Sequence, residues 1–244
     1  MNDVTRDIWS RWRGTTNARI GLGRSGDALP TAPLLEFQAA HSRARDAVHG
    51  VADFAAIAQA LQPQACLAVH SQAADRATYL RRPDLGRRLD PVSAERLAPE
   101  DYDVAFVIAD GLSARAVETH AAAVLRLCLA KLADWKVAPI VLAAQGRVAL
   151  GDEIGERLNA AAVAVLIGER PGLSVADSLG IYLTWAPRRG RADSERNCIS
   201  NIHAAGMSHA AAADLLLWLL REARRRRLSG IDLKVDPSAV LPTG

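Results

Sequence analysis

The chain is poor in the residues that mark several functional classes. Aromatic residues make up only 5%, so an interleaved aromatic-basic surface of the kind that stacks on single-stranded nucleic acid has little to be built from. Cysteines number three, Cys66, Cys128 and Cys198, an odd count with no C-x-x-C spacing. That argues against a zinc site and a disulfide framework and favours a reducing compartment. No window reaches the roughly 18 uninterrupted apolar residues of a membrane span. The first residues, with Asp3, Arg6 and Asp7 among them, lack the apolar core of a secretory signal, so the expectation is a soluble cytoplasmic protein. Thirty basic residues face 27 acidic ones, and a net charge of +3 does not imply a nucleic-acid partner. H-E-x-x-H, G-x-S-x-G and G-K-[ST] are all absent, which removes the usual support for zincin, serine-hydrolase and Walker NTPase chemistry.

What is present is half hydrophobic, mainly Ala, Leu and Val, in 244 residues, enough for one large α/β domain or a core domain with a smaller partner. Thr31 is placed to cap a helix with Pro33 in its first turn, and Leu34, Phe37, His41, Ala44 and Val48 then recur along one side until Gly50. Residues 52–61 read as a second short helix. From Cys66 onward, short apolar runs alternate with amphipathic stretches: 65–70, 103–109, 139–144 and 163–167 as strands, with helices over 112–132 and 152–159 between the last three. This is the pattern of a parallel sheet with crossover helices. The predicted fold is therefore α/β, a Rossmann-like, mostly parallel sheet with flanking helices. A smaller helical N-terminal region precedes it, with the division at 1–62 and 63–244.

Right-handed crossovers put the loops at Asp110–Ser113, Gln145–Val148 and Gly168–Gly172 along one sheet edge, where ligands bind. Glycines 111, 146 and 168 at strand ends would let backbone approach a bulky ligand. Glu169 or Asp110 could serve in acid–base chemistry if burial raised its pKa. Arg170 beside Glu169 instead favours a fixed anion that accepts hydrogen bonds from a ligand. Residues 179–185 return to an apolar run, 187–200 are too charged for a strand and too interrupted for a helix, and Ser208 caps a final helix over 210–227.

Three further features have bland and functional readings. Gly21-Leu22-Gly23-Arg24-Ser25-Gly26 matches G-x-G-x-x-G, but a poor strand precedes it and Pro30 and Pro33 delay the next helix, so a tight ordered loop is favoured over a dinucleotide site. Arg224–Arg227 would suit nucleic acid, yet cations at a helix C-terminus are favoured by the dipole. Trp9 and Trp12 either dock a partner or fold back on their own domain.

Several blocks then point to a family. Ala18–Gly26 with Pro30-Thr31, Ala40-His41 and Ala44–Val48, followed by Ala109–Ala114, Gln145–Ala149, Gly151–Gly155, the whole of Leu166–Ile202 and Arg227–Gly230, resemble the small (light) subunit of ethanolamine ammonia-lyase over nearly the full chain. The resemblance implies an adenosylcobalamin-dependent carbon–nitrogen lyase that converts ethanolamine to acetaldehyde and ammonia. It also implies a large-subunit partner that holds substrate and supplies the catalytic groups, so that no catalytic residue and no metal ligand is expected on this chain. Val148, Glu169 and Cys198 match family positions that contact cobalamin. Some members carry a longer N-terminal extension associated with packaging into a bacterial microcompartment, which leaves encapsulation open as an alternative to a free cytoplasmic complex. The D-x-H-x-x-G motif that places a protein histidine under cobalt is missing; in Asp46-Ala47-Val48-His49-Gly50 the histidine comes one position late. Cobalamin is therefore expected to keep its own dimethylbenzimidazole as lower ligand. A stand-alone nucleotide-dependent Rossmann-type enzyme is the alternative.

Overall fold

The computed structural model describes residues 7–16 and 18–234. A six-stranded sheet forms the frame, with strands β1 (Cys66–His70), β2 (Tyr102–Ala109), β3 (Ile140–Ala144), β4 (Ala160–Gly168), β5 (Leu179–Trp185) and β6 (Arg196–Ile202) in the order β1-β3-β2-β4-β5-β6. Around it lie helices α1 (Ser10–Arg13), α2 (Thr31–His49), α3 (Phe54–Ala60), α4 (Arg76–Arg81) and α5 (Pro91–Ala94) from the first half. The second half adds α6 (Ala114–Ala116), α7 (Ala122–Leu129), α8 (Leu150–Arg157) and α9 (His209–Arg226), with a π-helical turn at Val117–Ala121 joining α6 to α7.

Four strands are parallel, as predicted, but the sheet is mixed, because β5 runs antiparallel to β4 and β6 antiparallel to β5. The reason lies in the connections. Only residues 169–178 join β4 to β5 and only 186–195 join β5 to β6, and neither stretch holds more than a 3-10 turn. A parallel return needs a crossover of a dozen residues or more. The segment 187–200, too charged to look like a strand, yields β6 because one of its faces is open to solvent: Ile199 and Ile202 point into the core while Cys198, Ser200 and Asn201 are exposed.

Side-chain alternation builds two layers. Val104, Phe106 and Ile108 pack with α7 and α9, whose Leu125, Leu216 and Leu220 are fully buried. Ala105, Val107 and Ala109 face α8 through Leu150, Ile154 and Leu158. Gly151 lets α8 approach β4 closely, since a Cβ there would lie 2.2 Å from Val165 Cγ2. Ser113 caps the helix predicted over 112–132, accepting from Ala116 N at 3.2 Å, and Ser208 caps α9, accepting from Ala211 N at 3.2 Å.

The N-terminal region departs from expectation. Pro30, not Thr31, occupies the cap position of α2, and no side-chain cap forms. Ala40 and Ala47 are the buried residues of α2, while Leu34, Leu35 and Phe37 are exposed at 39%, 58% and 40%. The apolar stripe read from periodicity is thus mostly an outer face. Trp9 folds over Gly21, where a Cβ would lie 2.1 Å from its ring, yet Trp9 and Trp12 stay exposed. Among the described residues no helix is long and apolar enough to cross a membrane.

Candidate functional site

The loops that end β2, β3 and β4 meet at one edge, and Asp110 locks the first two together. Its carboxylate, in a residue 2% exposed, accepts from Gln145 N at 3.0 Å and Gly146 N at 3.1 Å and lies 3.6 Å from Arg76 Nη1. Arg76 in turn donates to the Gly111 carbonyl at 2.8 Å and to the Val48 carbonyl at 2.7 Å. Burial pushes the Asp110 carboxyl up, and the two backbone N–H groups and the Arg76 cation oppose that shift. Its acceptors are committed to protein donors, so it clamps loops, and the acid–base role weighed for it from sequence has no support in this geometry. The strand-end glycines also serve the protein itself. A Cβ on Gly111 would lie 2.3 Å from the Gly168 carbonyl, and one on Gly168 would lie 2.1 Å from the Ser113 carbonyl. Their small size lets loops touch each other instead of opening the backbone to a ligand.

Beside this clamp lies a cleft of about 300 Å³ whose walls include Val148, Glu169, Arg147, Arg170, Tyr79 and Tyr182. Val148 follows the β3 loop and is half-buried against the α8-side core. Glu169 leaves the end of β4 and lies over Gly180, where a Cβ would be 3.0 Å from its Oε1. Its Oε2 accepts from the Ser178 hydroxyl and from Asn201 N at 3.3 Å. The anchoring expected from Arg170 is not observed: among the described residues no ion pair joins the two, and the carboxylate is fixed by neutral donors, Ser178 just before β5 and Asn201 of β6.

Cys198 sits one strand further out. Val165, Tyr182 and Cys198 are in register across β4, β5 and β6, which sets the Tyr182 side chain, part of the cleft wall, on the same sheet face as its exposed cross-strand partner Cys198. Desolvation pushes the Tyr182 phenol up, with Cys198 and the Glu169 carboxylate adding to the shift. Desolvation also raises the Cys198 thiol; the neighbouring Tyr182 side chain opposes this and Glu169 reinforces it. The three residues singled out from sequence therefore share one wall, with Val148 and Glu169 in the cleft and Cys198 joined to it through Tyr182.

The residues missed from sequence are Tyr79, Arg147, Arg76 and Tyr182. Arg147 stood inside a loop already placed at the edge, but Tyr79 and Arg76 arrive from α4, which looks in sequence like any polar connector. Other candidates fall away. Residues 21–26 form a turn with positive φ at Gly21, Gly23 and Gly26 and follow no strand among the described residues, so the dinucleotide geometry is absent. The arginine run is largely engaged: Arg224 pairs with Asp103 at 3.1 Å and stacks on Trp135, Arg225 pairs with Glu222, and Arg226 donates to the Asp232 carbonyl. His49 ends α2, exposed, and is not part of the cleft wall. A larger cleft of about 570 Å³ lies at the opposite sheet edge, near Asp101, Asn159 and Trp185, and gathers none of the predicted residues.

The family model described as ethanolamine ammonia-lyase light chain matches residues 6–234. The ethanolamine ammonia-lyase small subunit of Xanthomonas campestris pv. campestris (strain ATCC 33913) is 56% identical over 239 residues, covering 94% of this chain and 88% of the relative. The protein of the same description from Ralstonia nicotianae is 54% identical over 241 residues, covering 95% and 89%. That of Pseudomonas aeruginosa (strain PAO1) is 54% identical over 236 residues, covering 93% and 86%. With a match of that extent, the chain belongs to the ethanolamine ammonia-lyase light chain family.

Proposed function

We propose that this chain is the small subunit of an adenosylcobalamin-dependent ethanolamine ammonia-lyase and forms one wall of the cobalamin site, which a large subunit completes. The observation that carries the reading is the convergence of Val148, Glu169 and, through Tyr182, Cys198 on a single open wall. A corrin is rimmed with amides and needs acceptors and donors held in place. Glu169 offers a carboxylate fixed by Ser178 and Asn201, and Arg147 offers a buried Nε without a protein partner. Clefts that enclose a drug-sized ligand run from about 300 to 1,000 Å³. This one, at about 300 Å³, is too small to surround a corrin and suits an edge contact shared with a second chain.

When bound, adenosylcobalamin supplies the radical chemistry that takes hydrogen from ethanolamine on the way to acetaldehyde and ammonia. The residues of this chain orient and cover it. Glu169 accepts from an amide N–H of the corrin rim, Val148 and the Tyr182 ring present apolar surface, and the Cys198 thiol extends that surface along β6. The groups that handle substrate belong to the large subunit. The division at 1–62, an arm and helical region, and 63–244, the cobalamin-binding body, is part of this proposal, with 1–6, 17 and 235–244 outside the described residues, and the assembly works in the cytoplasm, free or within a microcompartment.

Co-expression with the large subunit of a relative tests this. The small subunit alone should give no acetaldehyde from ethanolamine with added adenosylcobalamin, and the co-purified complex should give cofactor-dependent turnover. A complex that forms but neither binds cobalamin nor turns over would overturn the reading, as would NAD-dependent activity of the single chain.

A further inference from the structure

Among the described residues three buried guanidinium nitrogens have no hydrogen-bond partner; Arg88 Nε lies 3.5 Å from the Glu153 carboxylate, while Arg147 Nε and Arg76 Nη2 belong to side chains lying against the same ring. The guanidinium carbon of Arg147 is 4.2 Å from the centroid of Tyr79 and that of Arg76 is 4.8 Å away. Tyr79 is fully buried, and desolvation pushes its phenol up to about 12, so it stays neutral and donates to the Gly146 carbonyl at 3.1 Å. The cluster is tightly supported. Arg147 N donates to the Gly86 carbonyl at 2.8 Å, Arg147 Nη2 to the Tyr79 carbonyl at 3.3 Å, and a Cβ on Gly86 would lie 3.0 Å from both Arg147 Cγ and the Tyr79 ring.

Charge does not balance here. Asp110 answers Arg76 at 3.6 Å, but among the described residues no carboxylate lies within 4.0 Å of Arg147, which lines the cleft together with exposed Arg170. A buried donor left without an acceptor is costly, and a guanidinium held by packing is suited to oxyanions. Loop clamping accounts for Arg76 Nε and Nη1 and for Arg147 Nη2, which bond to backbone carbonyls, and leaves the two buried nitrogens Arg76 Nη2 and Arg147 Nε unexplained.

We infer that Arg147, held against the Tyr79 ring at the cleft wall with Arg76 behind it, is a phosphate-oxygen site, and that the phosphodiester of the cobalamin nucleotide loop is what it receives. This rests on the cobalamin reading above and deepens it. The phosphodiester is the ionised group of that cofactor, whereas the corrin rim carries neutral amides suited to Glu169. The two ends of the cleft would then read different parts of one molecule, the cationic end the nucleotide loop and the carboxylate end the rim. Free inorganic phosphate shares the chemistry and is the other possible source.

The test compares cyanocobalamin with dicyanocobinamide, which keeps the corrin and lacks the phosphate, ribose and base. Both are titrated by equilibrium dialysis into the complex with the large subunit, wild type and Arg147→Gln. Loss of one charge-assisted contact should weaken cyanocobalamin about 10- to 100-fold. Cobinamide affinity should be unchanged, and Arg147→Lys should fall between, because it keeps the charge without the fork. Equal weakening of both ligands, or of neither, would overturn the inference. If Arg147→Gln fails to co-purify, Arg147→Lys decides on the same comparison. Ten millimolar inorganic phosphate raising the melting temperature of wild type but not of Arg147→Gln, with cobalamin affinity equal in the two, would assign the site to free phosphate and overturn the cofactor assignment. A wild-type complex that binds neither corrinoid would instead remove the cobalamin reading itself.

Discussion

Behind the cleft, Arg196 and Asp152 form an ion pair whose side chains are 2% and 1% exposed, and its removal should show how β6 is held. Arg196 Nη1 and Nη2 meet Asp152 Oδ1 and Oδ2 at 2.5 and 2.7 Å. Arg196 also donates to Thr184 Oγ1 at 3.1 Å and to the Arg191 carbonyl at 2.9 Å. The pair joins the first turn of α8, just after Val148, to the start of β6, two residues before Cys198. Removing one partner of a buried pair costs about 3–5 kcal/mol, because the other charge stays buried. Asp193, 3.3 Å from Arg196 Nε but 89% exposed, is an exposed partner worth at most about 1 kcal/mol. Asp152→Asn should therefore cost about 2–4 kcal/mol, and Arg196→Met about 3–5 kcal/mol because Asp152 loses its counter-charge. The double variant Asp152→Leu/Arg196→Met removes both charges and should cost less than either single change, since well-packed apolar replacements of buried pairs are often neutral. Urea unfolding followed by tryptophan fluorescence measures all four proteins. A double variant that loses as much stability as Arg196→Met alone, or more, would refute the reasoning.

Other outcomes follow from the same geometry. Glu169→Ala in the assembled complex should weaken cobalamin by about 1–3 kcal/mol through loss of a fixed acceptor. Cys198→Ala, which removes a contact of the adjoining wall, should weaken it less while leaving assembly intact; equilibrium dialysis with cyanocobalamin checks both. His120, buried on the π turn with Nδ1 2.8 Å from His209 Nε2, has its pKa lowered by burial first and by His209 second. Asp177, which opposes the shift, and His203, which adds to it, are the other groups facing it. A lowered folded pKa means that the unfolded chain binds the proton more readily. Stability should thus be full above the unfolded value of about 6.5 and fall as pH drops from there through the lower folded value. Melting temperatures between pH 8 and 5 should show that fall, and His120→Gln should flatten it. Electron paramagnetic resonance of the cob(II)alamin form should show a nitrogen splitting that 15N-histidine in this chain leaves unchanged, because no histidine among the described residues lines the cleft.

The strands and the edge were legible in sequence for a simple reason. Runs such as Asp103–Ala109 are buried on both faces, so apolar continuity alone identifies them. Asp110, Gln145 and Gly168 follow directly from where those runs end. Strand β6 was hidden because only the face carrying Ile199 is buried along the core, while the other is covered at Arg196 and open at Cys198 and Ser200. The exposure of α2 was hidden for the converse reason: Leu34 and Phe37 have the spacing of a core face, and spacing does not say that anything covers it. Tyr79 and Arg76 could not be read as site residues, since α4 reaches the cleft only through tertiary packing against Gly86 and Gly111.

The antiparallel return is what turns a parallel sheet edge into a wall. Had β5 continued the parallel pattern, its crossover helix would have packed on a sheet face, as α8 packs on β4. Ten-residue connections leave no room for one, so β5 and β6 fold back at the same edge and carry Tyr182 and Cys198 beside Glu169 on a face that α8 covers only as far as Thr184 and Arg196. The chain thereby presents a flat, partly apolar strip bounded by one fixed carboxylate at Glu169 and one uncompensated guanidinium at Arg147. Such a strip grips the edge of a large ligand and leaves its opposite face to another protein. The proposed function needs such a division, because a surface open enough to lie against a corrin is too open to exclude water from a radical by itself.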